Sequence, residues 1–174
     1  MTAEPEQFIA DIVSAAGGRL VSRIRMQKIA YLLDQLGAGS GFSYSYHHYG
    51  PFSREVDSAV LDAEAFNLIT ERIARRLSDG APYSIFETDK VSGNEKSCVL
   101  FNDLLCESVK EWSKVPATVL ELAATAHWLS EYEKVDSWRD EIVRRKGSKT
   151  NDGRLEKAID LLREAKLPPA VESD

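Results

Sequence analysis

The chain has 174 residues, 43% of them hydrophobic and 29% charged, with a formal net charge of −6. That is enough apolar material to bury a core without staples, and the acidic balance argues against broad attraction to nucleic acid or anionic membrane. Two cysteines, Cys98 and Cys106, lie in no disulfide or zinc spacing. Acidic residues stand where a signal peptide would be basic, and no apolar run reaches bilayer length, so a reducing cytoplasm is expected.

In chain order, Phe8, Ile9, Ile12, Val13 and Ala16 predict an amphipathic first helix that Gly17-Gly18 terminates. From Arg23, Met26, Ile29, Leu33 and Leu36 fall at three- and four-residue steps and line one face of a second helix. That arrangement leaves Arg25, Lys28 and Asp34 for water. Gly37 tolerates the positive φ that ends the helix. Phe42, Tyr44, Tyr46 and His48 then alternate with Ser43, Ser45, His47 and Tyr49, the two-residue period of a strand with one aromatic face. Gly50-Pro51 is expected to end that strand before Ser53 caps a third helix, with Val56, Ala59, Val60, Ala63 and Phe66 on its apolar stripe. Asn67 suits a left-handed cap.

Residues 68–77 fit either a strand or a helix. The turn Ser78-Asp-Gly-Ala-Pro and the strand formers Tyr83-Ser-Ile-Phe favour a β-hairpin. A polar loop at 91–97 precedes a helix over about 102–112 with Leu105, Val109 and Trp112 on one face. After Pro116, Val119, Leu122, Ala123, Ala126 and Leu129 make the most apolar helix, placed at the centre of the core. Asp136 is positioned to cap a helix that runs to Arg144-Arg-Lys-Gly147. A linker over 148–153 leads to a last helix built on Leu155, Ala158, Ile159 and Leu162, stopped before Pro168-Pro169. The fold class is thus mainly α: a single-domain helical bundle over 1–167 with one short β-hairpin, compatible with a winged-helix-like element, and a mobile tail over 168–174.

The block Arg25-Met-Gln-Lys-Ile-Ala-Tyr-Leu-Leu, followed by Tyr46-His-His-Tyr-Gly-Pro-Phe-Ser, resembles the bacterial YwgA-like proteins, relatives of the Panacea or SocA-like antitoxin domain. The resemblance extends through Leu120-Glu-Leu-Ala-Ala-Thr-Ala-His-Trp-Leu into the last helix, and so over roughly the whole chain. It implies a non-enzymatic domain that neutralises a toxin encoded beside it, the SocA member delivering its toxin to a protease. Partner contacts are then expected from Gln27, Lys28, Tyr46, His47, Tyr49, Phe52 and Arg54, with Gln27 and Lys28 supporting the fold first. Homo-oligomers are compatible with this reading.

No motif carries catalysis: GxGxxG, Walker, HExxH and GxSxG patterns are all missing from the sequence. His47 and His48 would point to opposite faces of a strand and cannot share an ion, and His127 reads as a satisfied core histidine. Cys98 with a histidine could be drawn as a nucleophile pair, but nothing in the sequence brings the two together. Neither a metal nor another cofactor is expected. The alternative function is a winged-helix transcription regulator, with the helix from Arg54 in the major groove and Arg72, Arg75 and Arg76 on phosphates. Glu55, Asp57, Asp62 and Glu64 on that helix oppose it.

Overall fold

The computed structural model describes residues 4–89 and 98–170. The polar loop expected at 91–97 lies outside them, as does the end of the tail from 171; Ala170 packs against the core. The elements run α1 (Pro5–Ala15), β1 (Arg19–Val21), α2 (Arg23–Gln35), β2 (Ser45–His47), β3 (Gly50–Phe52) and α3 (Arg54–Ala65). They continue through β4 (Thr70–Arg75), β5 (Pro82–Glu87), α4 (Asp103–Trp112), α5 (Ala117–Glu131), α6 (Trp138–Lys146) and α7 (Arg154–Glu164). The protein is mainly α, as the periodicity requires, with the hairpin β4–β5 where the Ser78-to-Pro82 turn places it. Among the described residues no helix is long and apolar enough to cross a membrane.

The hairpin is joined by a strand that the sequence reading missed. β1 pairs with β5 antiparallel, Leu20 opposite Phe86, so the sheet order is β1-β5-β4. Three residues are too few to show a period, and the pairing of β1 is decided by Leu20, which is buried. Helices α1, α2 and α3 followed by this hairpin supply the element order that the winged-helix expectation needs.

Several local expectations are corrected. The strand over 42–49 shrinks to Ser45–His47, because Gly39 and Gly41 take positive φ and the Asp34 carboxylate gathers the Ser40 N–H and hydroxyl and the Tyr44 hydroxyl. Asp34 is therefore engaged in this turn and not left to water. Gly50-Pro51 does not end the strand: the chain reverses at His48-Tyr49, and Gly50 and Pro51 pair back on His47 and Tyr46 as β3. Asp136 is not the cap of α6, since Ser137 holds that position without a side-chain bond. Phe66, placed on the apolar stripe of α3, is exposed, beyond the last buried residue of that helix. Residues 147–150 of the expected linker form a 3₁₀ turn.

α5 sits at the centre, packed against α2, α6, α7 and β3. It is buried nearly all round, so its polar residues Glu121, Thr125 and His127 are buried with it. Glu121 and His127 find partners on neighbouring elements, whereas Thr125 Oγ1 has none among the described residues. His127 Nδ1 lies 2.7 Å from the Tyr31 hydroxyl of α2. Burial lowers the His127 pKa to about 4 and raises that of Tyr31, so at neutral pH the bond joins a neutral phenol to a neutral imidazole.

A second buried carboxylate, Asp11 on α1, fixes the start of α4. Its oxygens accept the backbone N–H groups of Val99, Leu100 and Phe101 and the side-chain amide of Gln7. Asn102 then caps α4 by accepting from Leu105 N–H. Replacing Asp11 by Ala would orphan three amides, and about 2–4 kcal/mol of stability should be lost in urea unfolding; a loss below about 0.5 kcal/mol would refute the role given to this residue.

Candidate functional site

The polar residues of α5 meet the α2 signature and the Gly-Pro hairpin in one cluster. Lys28, which the helical pattern left for water, is only 1% exposed, and its Nζ donates to the Pro51 carbonyl at 2.6 Å. Gln27, 4% exposed, brackets Ser53: its amide nitrogen donates to Ser53 O at 2.8 Å and its oxygen accepts Ser53 N–H at 3.0 Å. Gln27 thus fixes the backbone of Ser53, while the Ser53 hydroxyl, expected to cap α3, makes no capping bond and is buried without a partner among the described residues. The register explains this. Pro51 and Ser53 face the first turns of α2, which places adjacent Gln27 and Lys28 beside two successive points of the hairpin's exit.

From the other side, Lys146 at the end of α6 donates to His48 O at 2.9 Å and to Glu121 Oε1 at 2.8 Å. Lys149, in the 3₁₀ turn, reaches both Glu121 oxygens at 3.0 and 3.2 Å. Its ammonium also lies 4.9 Å from the centre of the Tyr49 ring. The cations at the end of α6 looked like ordinary dipole complements in the sequence; they are the partners of a carboxylate whose side chain is 3% exposed. Gly50 makes the closest approach of the hairpin to α5. It has φ +88°, and a Cβ there would stand 2.5 Å from Thr125 Oγ1.

The expected partner-binding residues are divided by this geometry. Gln27 and Lys28 are internal. Tyr46 is half-buried, with Arg145 at 4.9 Å and Lys146 at 5.7 Å from its ring centre. His47, His48 and Tyr49 are exposed at the turn, Phe52 packs its half-buried ring 4.8 Å from that of His47, and Arg54 is exposed at the start of α3. Glu121, Lys146, Lys149 and Thr125 were not singled out in the sequence. A Glu inside the apolar run Val119-Leu-Glu-Leu-Ala-Ala was the available signal.

The other candidates lie elsewhere. Arg72 pairs with Glu87 and Arg76 with Asp79, while Arg75 donates to the Gly80 carbonyl. Cys98 Sγ lies 3.7 Å from Asp11 O, His47 Nε2 is at 3.0 Å from Ser45 Oγ, and His127 is occupied by Tyr31. Among the described residues no group of three or more His, Cys, Asp or Glu could hold a metal ion.

Burial lowers the Lys28 pKa from 10.5 to about 7; the Glu121 carboxylate opposes that shift, and Lys146 and Lys149 add to it. Compared with models of protein families and with curated proteins, the chain matches none.

Two outcomes follow from the cluster. Between pH 7 and 10.5 the unfolded chain binds more protons at Lys28 than the folded one, so stability contributed here rises with pH across that window. The urea midpoint of the unmodified protein should therefore climb relative to Lys28→Met between about pH 7.5 and about pH 9; parallel curves would refute the shift. Gly50→Ala should cost about 1–3 kcal/mol from the positive φ and the contact with Thr125. Part of that loss should return in the Gly50→Ala/Thr125→Ala double variant, as measured by thermal unfolding.

Proposed function

We propose that the protein is a non-enzymatic protein-binding module of the antitoxin type, acting in the cytoplasm, which neutralises or escorts a partner protein encoded nearby. The observation that carries this reading is the fixed hairpin: buried lysines from two sides hold the His48 and Pro51 carbonyls, and the turn so held presents Tyr49 and His47 outward. A rigid turn tipped by an aromatic side chain loses little conformational entropy on binding, and tyrosines of this kind anchor protein interfaces. The resemblance of the Gln27-Lys28 helix and the Tyr46-to-Pro51 block to the Panacea or SocA-like antitoxins supplies the kind of partner. In this structure those two blocks are in direct contact.

The second reading is a winged-helix DNA-binding regulator. It is favoured by the sheet order β1-β5-β4 behind three helices and by the exposed arginines of the hairpin. It is opposed by the carboxylates Glu55, Asp62 and Glu64 exposed on α3 and by the acidic partners of Arg72 and Arg76. Arg75 is the hairpin arginine left for phosphate.

Purification from the native host, with bound proteins identified by mass spectrometry and nucleic acid by absorbance, tests the two together. A stoichiometric protein encoded next door and toxic when expressed alone is the expected result; promoter DNA without a protein would transfer the assignment to the regulator. Tyr49→Ala should weaken that partner by about 2 kcal/mol, roughly thirtyfold, in isothermal titration. The 51% exposure of Tyr49 means that the melting temperature should hardly move.

A further inference from the structure

Beside the Tyr49 turn lies an open cleft of ≈ 1110 Å³, walled by the β4–β5 turn, the entry to α2, the first turn of α5 and Lys149. Its charged lining consists of Arg23, Arg25, Arg75, Arg76 and Lys149 against the single carboxylate Glu121. That is a local excess of positive charge on a chain whose net charge is −6. Some of it is neutralised: Arg23 is engaged by Glu71 and Asp57, Arg76 by Asp79, and Lys149 by Glu121.

Arg25 and Arg75 are different. Among the described residues neither makes an ion pair; both spend their bonds on backbone carbonyls, Arg25 on Val21 O and Val115 O, Arg75 on Gly80 O. The two carbonyls come from different parts of the chain, the end of β1 and the segment before α5, and hold the guanidinium of half-buried Arg25, while its Nη2 donates to none of the described residues. A fixed, half-desolvated guanidinium with spare donors binds carboxylate more strongly than a free surface lysine does.

We propose that this cleft is the docking site for an acidic, extended segment of the partner protein, bearing aromatic or aliphatic residues between its carboxylates. The proposal rests on the protein-binding reading and names the partner's chemistry. Four lining side chains give the apolar contacts: Tyr49, Tyr83, Ile24 and the fully exposed Leu77. The cleft exceeds the usual 300–1,000 Å³ of a small-ligand pocket, roughly the upper limit for such sites, and an extended strand alternates its side chains between the two kinds of wall. The net charge of −6 disfavours such a segment over the protein as a whole, and the excess of cations in the cleft attracts it locally. A nucleic-acid strand would meet the same arginines, but Asp79 at the turn and Asp57 and Glu71 behind Arg23 would stand against its continuous line of phosphates.

The test uses the full chain and a short fluorescein-labelled peptide of alternating glutamate and tyrosine, followed by anisotropy. Controls are the lysine–tyrosine counterpart and an oligothymidylate of similar length. The glutamate peptide should bind, weaken as salt is raised, and lose about tenfold in affinity with Arg75→Glu, an exposed position whose side chain bonds the Gly80 carbonyl of its own hairpin turn. Arg25→Gln should weaken it as well. Arg163→Glu, on α7 outside the cleft, should leave the affinity within about twofold.

No binding of the glutamate peptide, an affinity indifferent to Arg75→Glu, or tighter binding of the oligothymidylate would each overturn the proposal, the last reassigning the cleft to nucleic acid. The purified partner separates this failure from that of the wider reading. A partner weakened by Tyr49→Ala yet indifferent to Arg75→Glu would remove the cleft assignment and leave the protein-binding module intact.

Discussion

Glu121 is a carboxylate placed on the most buried helix of the protein, and an ionised carboxylate cannot be left there without compensation. Lys146 and Lys149 compensate it, and in doing so they fix the end of α6 and the turn after it. The same two lysines carry their hold outward, Lys146 to the His48 carbonyl and Lys149 to the face of Tyr49. Lys28 closes the cluster from α2 through Pro51 O. The position of the exposed turn is therefore set from the interior. Such buried ion pairs contribute little net stability, because desolvation offsets most of their attraction; what they supply is a single arrangement in place of several.

Apolar packing and polar pairing divide the labour. Val119, Leu122, Ala126 and Leu129 bring α5 into the core with the stripes of α1, α2 and α7. The polar residues then choose the register. Gly50 brings the backbone of β3 close enough to α5 that Thr125 Oγ1 occupies the space a side chain would need. Proline at 51 is tolerated because its missing N–H lies in a two-stranded ribbon, and its carbonyl is the one that Lys28 seeks.

The helices were legible in the sequence because their apolar residues repeat at the helical period, and the β4–β5 hairpin because its turn is spelled out by Ser78-Asp-Gly-Ala-Pro. The site was half legible. Gln27, Lys28 and the Tyr46-to-Pro51 block stood out as motifs, but their contact spans more than twenty positions and no period announces it. The fate of Lys28 shows the limit: a charged residue between apolar ones on a helix usually marks the wet face, and only the arrival of Pro51 O makes burial acceptable. Lys146 and Lys149 were hidden for a related reason. Cations at the end of a helix have an ordinary local explanation, and the carboxylate that holds them lies 25 and 28 residues back.

The clasp that Asp11 places on residues 99–101 has a consequence for the order in which the chain becomes structured. The amides it binds lie 88 to 90 positions downstream. During synthesis α1 precedes all three of these amides, so until they follow, its buried carboxylate has Gln7 as its native side-chain partner among the described residues. Helix α1 can pack early on α2 and α3, but the polar side of its seat is completed only when residues 99–101 arrive. Seating of α1 is thereby divided into an early apolar step and a late polar one, and the late step joins the start of α4 to helices already packed together.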